Sequence, residues 1–267
     1  MLELGKIYND DCFKVMEEMR RDNIKPDVIL TSPPYNTART NCNFTNDVAK
    51  GRYTARYLSF NDMRTDDEYM EWTVRLFMLF DDILEKDGVI LYNINYGTNT
   101  HESFYHLLSG IMLKTPFTIA DQITWKKRTA VPNTASPNKL TRITEPVFVF
   151  VRKSEYKTFK TNKRVASLSK GTNQKNYENV TNFIEAANND GSCPIHKATY
   201  SSELCIKLLN IYADEGSVVY DPFIGTGTTA VACIQRGLKW IGSELSKEYA
   251  EYASERINRL LDDNDKG

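Results

Sequence analysis

Three short runs of this chain, Val28-Ile-Leu30, Val89-Ile-Leu-Tyr92 and Val147-Phe-Val-Phe-Val151, are apolar at every position. A strand with one face in water alternates apolar and polar side chains, so a strand with no polar side must be covered on both faces. Amphipathic stretches at helical spacing supply that cover. Lys6–Tyr8, Asp27–Leu30, Val89–Ile94 and Ala120–Trp125 read as strands, with helical stretches Cys12–Met19, Glu68–Leu84 and Ser103–Leu113 between them. The rhythm is βαβ, and it predicts an α/β fold with a Rossmann-like, doubly wound, mostly parallel sheet.

After Val151 the pattern dissolves into a basic polar segment. It resumes with a helix at Ser201–Tyr212, a strand at Ser217–Tyr220, a helix from Thr228 and a strand at Lys239–Gly242. The 267 residues suffice for one such core, since single cores grow to roughly 250–300 residues before chains divide into domains. We therefore expect a core of residues 1–151 plus 194–267 with an insertion at 152–193. A second polar tract, Asn36 to Asn61, carries Arg39, Arg52 and Arg56; a loop of that length in a compact domain is usually functional.

Composition narrows the function. The net charge of -1 excludes a chain that coats polyanions indiscriminately, so any affinity for nucleic acid must come from local clusters. Two clusters exist: Lys126, Lys127, Arg128, Lys139 and Arg142 with no acid between Trp125 and Arg142, and eight basic residues against Glu155 alone between Arg152 and Lys175, Lys163 and Arg164 among them. Cys12, Cys42, Cys193, Cys205 and Cys233 are odd in number and form no C-x-x-C pair, which reads as reduced thiols and no zinc site. No apolar run approaches the roughly 20 residues of a membrane helix, and the N-terminus has no signal-peptide pattern. A cytoplasmic protein is expected. His101, His106 and His196 have no metal-ligand spacing, and Thr65-Asp-Asp-Glu68 reads as a helix N-cap followed by first-turn acids.

Two segments carry chemistry. Val218-Val-Tyr-Asp221-Pro-Phe-Ile-Gly225-Thr-Gly227-Thr228 reads as strand, tight glycine turn and helix, with Glu244 closing the next strand. A glycine turn lets a ligand approach the backbone, and an acid about 20 residues on can accept hydrogen bonds from ribose hydroxyls. The spacing lacks both the G-x-G-x-x-G of a pyrophosphate site and the lysine of a P-loop, leaving a nucleoside. The other segment is Pro26-Asp-Val-Ile-Leu-Thr-Ser32-Pro33-Pro34-Tyr35. Two prolines end the strand by removing donors and fixing φ, and they present Ser32, the Pro33 carbonyl and Tyr35 in a rigid turn. Those are two acceptors for an exocyclic amino group beside a ring on which an extruded base can stack.

These residues resemble the DNA amino-methyltransferases that make N6-methyladenine or N4-methylcytosine. Ser32-Pro-Pro-Tyr35 is similar to the family's catalytic motif, Asp221 to Thr228 to its cofactor turn and Glu244 to its ribose-binding acid. Asn9-Asp-Asp11-Cys12 is similar to its early acidic motif, and His196-Lys-Ala-Thr-Tyr200 to the motif before the helix that closes the cofactor pocket. The order, catalytic motif first and glycine turn last, is that of the beta group; glutamine and small-RNA methyltransferases with a related turn carry the glycine turn first. The resemblance implies S-adenosyl-L-methionine as cofactor, held by Asp11, Cys12, His196, Ala198, Thr199, Asp221, Phe223, Gly225, Thr226, Gly227, Thr228 and Glu244, with catalysis at Ser32, Pro33, Pro34 and Tyr35. It implies DNA contacts at Arg39, Lys126, Lys127, Arg128, Lys139, Arg142, Lys163 and Arg164, target recognition by 152–193, and a homodimer, with either a companion restriction endonuclease or a solitary enzyme left open; no metal is needed, since positioning and hydrogen bonding can activate the amine. Two departures stand out: Lys197 follows His196 where the family has proline, and Ser32 stands where many adenine enzymes have Asp, which favours cytosine N4. An idle DNA-binding module of the same fold, or a methyltransferase for RNA or protein, are the alternatives.

Overall fold

A computed structural model describes residues 1–36, 64–95, 101–130, 132–134, 137–138, 140–191 and 200–264. The chain opens with strand β1 (Lys6–Tyr8), helix α1 (Cys12–Arg21), strand β2 (Val28–Thr31), helix α2 (Asp66–Ile83), strand β3 (Val89–Asn93) and helix α3 (His101–Lys114). Two long strands follow, β4 (Phe117–Lys127) and β5 (Thr144–Arg152), then three short ones, β6 (Val165–Leu168), β7 (Lys175–Tyr177) and β8 (Phe183–Ala186). The last third is helix α4 (Ser202–Tyr212), strand β9 (Val218–Asp221), helix α5 (Thr228–Gln235), strand β10 (Lys239–Ser243) and helix α6 (Lys247–Asn264).

One sheet has the order β1-β10-β9-β2-β3-β5-β4-β8, and β6 and β7 form a separate antiparallel pair. Every neighbour in the main sheet is parallel except β5, which runs against both β3 and β4. The apolar runs explain the layers. Ile29, Ile90, Tyr92, Phe148 and Phe150 turn to one face and join buried residues of α1, α2 and α3. Val28, Leu30, Val89, Leu91, Val147 and Val149 turn to the other and join α4, α5 and α6. Both faces are covered because successive strand residues point opposite ways, as continuous apolar strands require. On the first face, Phe77 meets Phe80, Tyr92, Phe117 and Phe150 with ring centroids 5.0 to 5.8 Å apart, a range in which edge-to-face pairs add about 0.5–1.5 kcal/mol each beyond area burial.

Local sequence sets the boundaries. Thr65 caps α2 in a capping box with Glu68, as the acid-rich start predicts. At the other end of α2, Arg152 donates to the main-chain carbonyls of Asp81, Leu84 and Glu85 and pairs with the Asp81 carboxylate at 2.5 Å. A guanidinium on orphan C-terminal carbonyls satisfies them and complements the helix dipole. Lys153 donates to the Thr115 carbonyl at the end of α3 in the same way. Two of the eight basic residues counted after Val151 therefore serve the core. Within 152–193, β8 hydrogen-bonds to β4 as the outermost strand of the main sheet, while β6 and β7 stand apart. Strand β4 is longer than its apolar pattern suggests, since Phe117 to Ile119 and Lys126 extend the pairing with β5.

The sheet reverses direction of winding between β9 and β2, which are adjacent and parallel. In open α/β sheets the carboxyl ends of strands at such a switch point diverge and leave a crevice for ligands. The segment after β2 is Ser32 to Tyr35, and the segment after β9 is Pro222 to Gly227.

Candidate functional site

The turn after β2 is held from three sides. Pro33 and Pro34 are buried, whereas Ser32 and Tyr35 are half-buried. Tyr35 places its hydroxyl 3.0 Å from Ser32 Oγ and donates to Asn93 Oδ1 at 3.1 Å. Asn93, at the end of β3, donates through Nδ2 to the Pro146 carbonyl of β5 at 3.0 Å. From above, Tyr69 of α2 donates its hydroxyl to the Pro34 carbonyl. The adjacent Pro33 carbonyl accepts no hydrogen bond among the described residues. The prolines end the strand, and the turn after them is tied to β3 through Asn93 and to α2 through Tyr69.

The turn after β9 is built on glycines. Gly225 has φ 53° and Gly227 has φ 83° and stands at the N-cap of α5, conformations that cost a residue with a Cβ and cost glycine little. A Cβ at Gly227 would also lie 3.1 Å from the Cβ of Ala253 on α6. Ile224 anchors the turn: its N–H donates to the Ser243 carbonyl at 3.0 Å and its own carbonyl accepts from Gly227 at 2.9 Å. From behind, Arg256 of α6 donates to the Thr226 carbonyl and Thr228 Oγ1 while pairing with Asp190.

Asp221 joins the two turns. One carboxylate oxygen accepts from Thr31 Oγ1 at 2.7 Å and from the Phe223 N–H at 3.0 Å; the other accepts from Thr229 Oγ1 at 2.5 Å and from the Tyr200 hydroxyl at 3.0 Å. Thr31 ends β2 directly before Ser32, so the acid ties the proline turn to the glycine turn. The side chain is 1% exposed. Burial pushes its carboxyl up from the usual range, and the donors oppose that push. Four donors match the roughly four lone-pair sites of a carboxylate, so Asp221 acts toward a ligand through the shape of the turn.

Glu244 is differently placed. Its oxygens accept one main-chain N–H each, from Gly225 at 3.0 Å and from Ser246 at 2.8 Å, which leaves acceptor capacity. Burial raises its carboxyl above the ordinary range, against hydrogen bonding from the Ser246, Gly225 and Leu245 N–H groups. Asn9 donates to the Glu244 and Leu245 carbonyls, bringing the start of α1 to the end of β10. There Asp11 caps α1 by accepting from the Phe13 N–H at 2.8 Å. Cys12 lies in the core with its thiol pushed up by burial. Phe223 is half-buried, with its ring 5.8 Å from that of Trp72.

Of the predicted site residues, the fold brings Ser32 to Tyr35, Asp221 to Thr228, Glu244, Asp11 and Cys12 to one edge of the sheet. His196, Ala198, Thr199, Arg39 and Lys139 lie outside the described residues, as does most of the tract 36–61. The basic residues at the end of β4 and just after it are already engaged: Lys126 with Glu185 at 2.5 Å, Lys127 with Glu145, and Arg128 with Glu203 at 2.6 Å. Lys126 and Lys127 are consecutive in a strand and so point to opposite faces. Arg142 is exposed, and Lys163 and Arg164 flank the start of β6. Sequence reasoning missed Tyr69, Thr31 and Arg256. A threonine ending the run Val28-Ile-Leu30 is a readable signal for a polar contact at the strand end; Tyr69 and Arg256 sit on amphipathic helices, where nothing in the spacing sets them apart.

The sheet order, the single reversed strand β5 and two ligand-facing turns at the switch point define the class I methyltransferase fold. Residues 26–255 match the profile of the N6/N4 methyltransferase family, described as DNA methylase. The chain belongs to this family and is a DNA amino-methyltransferase. It is 24% identical to the Type II methyltransferase M.BglII of Bacillus subtilis over 98% of this chain and 71% of that protein. With the Type II methyltransferase M2.LlaDCHI of Lactococcus lactis subsp. cremoris it shares 26% identity over 95% of this chain and 89% of the other. Among solved structures, the PvuII DNA methyltransferase (cytosine-N4-specific) superposes with a TM-score of 0.66 at 15% identity, over 94% of this chain and 89% of that one. The M1.HpyAVI–SAM complex superposes with 0.58 at 20% identity, over 94% and 98%. No helix among the described residues is long and apolar enough to cross a membrane.

Proposed function

We propose that this enzyme transfers a methyl group from S-adenosyl-L-methionine to the exocyclic amino nitrogen of a base extruded from DNA, with N4 of cytosine as the favoured target. The observation that carries the reading is the Thr31–Asp221–Thr229 hydrogen-bond bridge, which couples an amine-accepting turn to a nucleoside-accepting turn at one switch point. The residues fit the cofactor. A Cβ at Gly225 would meet nothing nearer than 3.9 Å, so the turn is open to a ligand on that side. Glu244 keeps lone pairs for two ribose hydroxyls, and the N-terminus of α1 at Asp11 lies beside it. His196, Ala198 and Thr199 complete the set by family resemblance.

When bound, the cofactor supplies an electrophilic methyl group on a sulfonium. The chain's own work is orientation. Ser32 Oγ and the Pro33 carbonyl accept the two amino protons, which directs the nitrogen lone pair along the line of displacement, and Tyr35 stacks on the extruded base. Methyl transfer from the bound sulfonium would leave the nitrogen with one proton to lose to solvent water, while Ser32 Oγ and the Pro33 carbonyl would hold the amino group in line. Positioning and hydrogen bonding of the amino group supply the activation. Serine as the first residue of the turn supports cytosine, and the PvuII enzyme, named as cytosine-N4-specific, has the same fold.

The span 152–193, with its exposed β6–β7 hairpin and Lys163 and Arg164, is assigned to target recognition. Arg39, Lys139, Arg142 and the ion-paired Lys126, Lys127 and Arg128 are assigned to the phosphates; the surface pairs of Lys126 and Arg128, worth about 0–1 kcal/mol, exchange readily for a polyanion, while Lys127 is half-buried against Glu145. By analogy with relatives named as Type II methyltransferases, the proposal extends to a cytoplasmic location, a companion endonuclease and a homodimer. Transfer of labelled methyl to unmethylated genomic DNA, followed by nucleoside digestion and mass spectrometry, tests it. N4-methylcytosine is expected; N6-methyladenine alone would reassign the base, and label confined to RNA or protein would overturn the reading.

A further inference from the structure

We propose that Asn93 is a positioning residue that sets the hydrogen-bond polarity of the catalytic turn, so that Ser32 meets the amino group of the base as an acceptor. This rests on the reading of Ser32 to Tyr35 as the amine site.

The argument follows the protons. The Pro146 carbonyl can only accept, so the Asn93 atom 3.0 Å from it must be the amide nitrogen. The amide oxygen then faces Tyr35, 3.1 Å away, and as an acceptor it takes the single proton of the phenol. A phenol that has given its proton to Asn93 can only accept in its 3.0 Å contact with Ser32 Oγ. The serine proton is therefore committed to Tyr35. Its lone pairs are turned away from Tyr35, available to an incoming N–H.

The consequence is chemical. An exocyclic amino group brings two donors, and a serine free to rotate would spend part of its time presenting its own proton to them. The chain Pro146, Asn93, Tyr35, Ser32 removes that state before the base arrives, which is preorganisation of the kind that raises kcat. Asn93 itself is 3% exposed and spans β3 and β5, so it acts through Tyr35 and does not touch the base. Its hydrogen-bonded partners, Tyr35 and Pro146, include no carboxylate or amine.

The test uses Asn93→Leu, Asn93→Asp and Tyr35→Phe in the full chain, with single-turnover methyl transfer to DNA and separate calorimetric titration of S-adenosylmethionine. Asn93→Leu is expected to lower the transfer rate about 10- to 100-fold, below the 10²–10³ seen for loss of a direct oxyanion donor, with cofactor affinity unchanged. Asn93→Asp distinguishes polarity from packing. Its carboxyl, protonated or ionised, still accepts from Tyr35, so the serine proton stays committed and transfer should stand well above that of Asn93→Leu. Combining Asn93→Leu with Tyr35→Phe should cost no more than Tyr35→Phe alone, because the chain is already cut. Parent-like transfer in Asn93→Leu, or transfer in Asn93→Asp no higher than in Asn93→Leu, overturns the inference. Should Asn93→Leu fail to fold, Tyr35→Phe decides alone: it removes the acceptor of the serine proton, and parent-like transfer there overturns the inference. Full transfer in Ser32→Ala with cofactor bound would instead refute the amine-site reading; loss there with parent-like Asn93 variants refutes only the relay.

Discussion

Gly242→Ala tests whether the cofactor turn is held in place from beneath. Gly242 lies in β10, directly under Ile224 of the glycine turn. An added Cβ would stand 2.3 Å from Ile224 Cδ1, 3.0 Å from its Cβ and 3.2 Å from its Cγ1. The Cδ1 contact alone could be relieved by rotation, but the branch point is as near as contact allows. The Ile224 backbone is pinned by Ser243 on one side and Gly227 on the other. The side chain therefore moves the turn with it, or stays strained. Overpacking of this kind costs about 1–3 kcal/mol. At roughly 2–4 °C per kcal/mol for a chain of this size, the melting temperature should drop by on the order of 2–12 °C. S-adenosylmethionine, bound by the displaced turn, should recover less of that loss than it gives the parent. Ile224→Val removes the offending Cδ1 and by itself costs about 0.5–1.5 kcal/mol. Placed in the Gly242→Ala background it should be neutral or stabilising, a coupling of about 0.5–3 kcal/mol. The assay is thermal unfolding of the four proteins with and without cofactor. Strict additivity of the two substitutions, or an unshifted melting temperature in Gly242→Ala, would refute the reasoning.

Glu244 predicts a pH dependence of cofactor affinity. Its carboxyl is raised by burial in the free protein, and ribose hydroxyls donate to the ionised form, so protons compete with the cofactor. Affinity should weaken as pH falls through a value above the ordinary glutamate range, and Glu244→Gln should bind more weakly with a flatter profile; calorimetry across pH checks both, and an unchanged slope in the variant counts against the assignment. Arg152→Met strips the donors from the end of α2 and leaves the half-buried Asp81 carboxylate without its guanidinium; a loss of about 3 kcal/mol is expected for breaking such a pair, read by urea unfolding, with methyl transfer per folded molecule unchanged.

The layered sheet was legible because runs such as Val28–Leu30 and Val147–Val151 have no polar side, and only a doubly covered sheet accepts them. The reversal of β5 was not legible: an antiparallel strand buried on both faces has the same composition as a parallel one. Nor was β8, whose Phe183 and Ile184 are too few to mark a strand at a sheet edge. The turns were visible through proline and glycine, residues whose backbone limits act locally. What positions those turns was hidden, because Tyr69, Asn93 and Arg256 act across 35, 58 and 30 residues of sequence and no short window contains both partners. The basic count after Val151 overstated the free charge for the same reason: Arg152 and Lys153 find their acceptors on α2 and α3. Asp221 shows the limit most clearly. Its place beside the glycine turn was readable, but its four donors come from β2, α5, Tyr200 and its own turn, and only the fold assembles them.

The measurement that bears most directly on the account is single-turnover transfer of labelled methyl to DNA by Ser32→Ala, with S-adenosylmethionine binding titrated on the same preparation. The proline turn, proposed to hold the amine, and the glycine turn, proposed to hold the cofactor, are separate pieces of chain joined through Asp221, so cofactor affinity should match the parent while transfer falls by about 100-fold or more. Parent-like transfer with the serine oxygen gone would contradict the claim that this turn holds the reacting amino group.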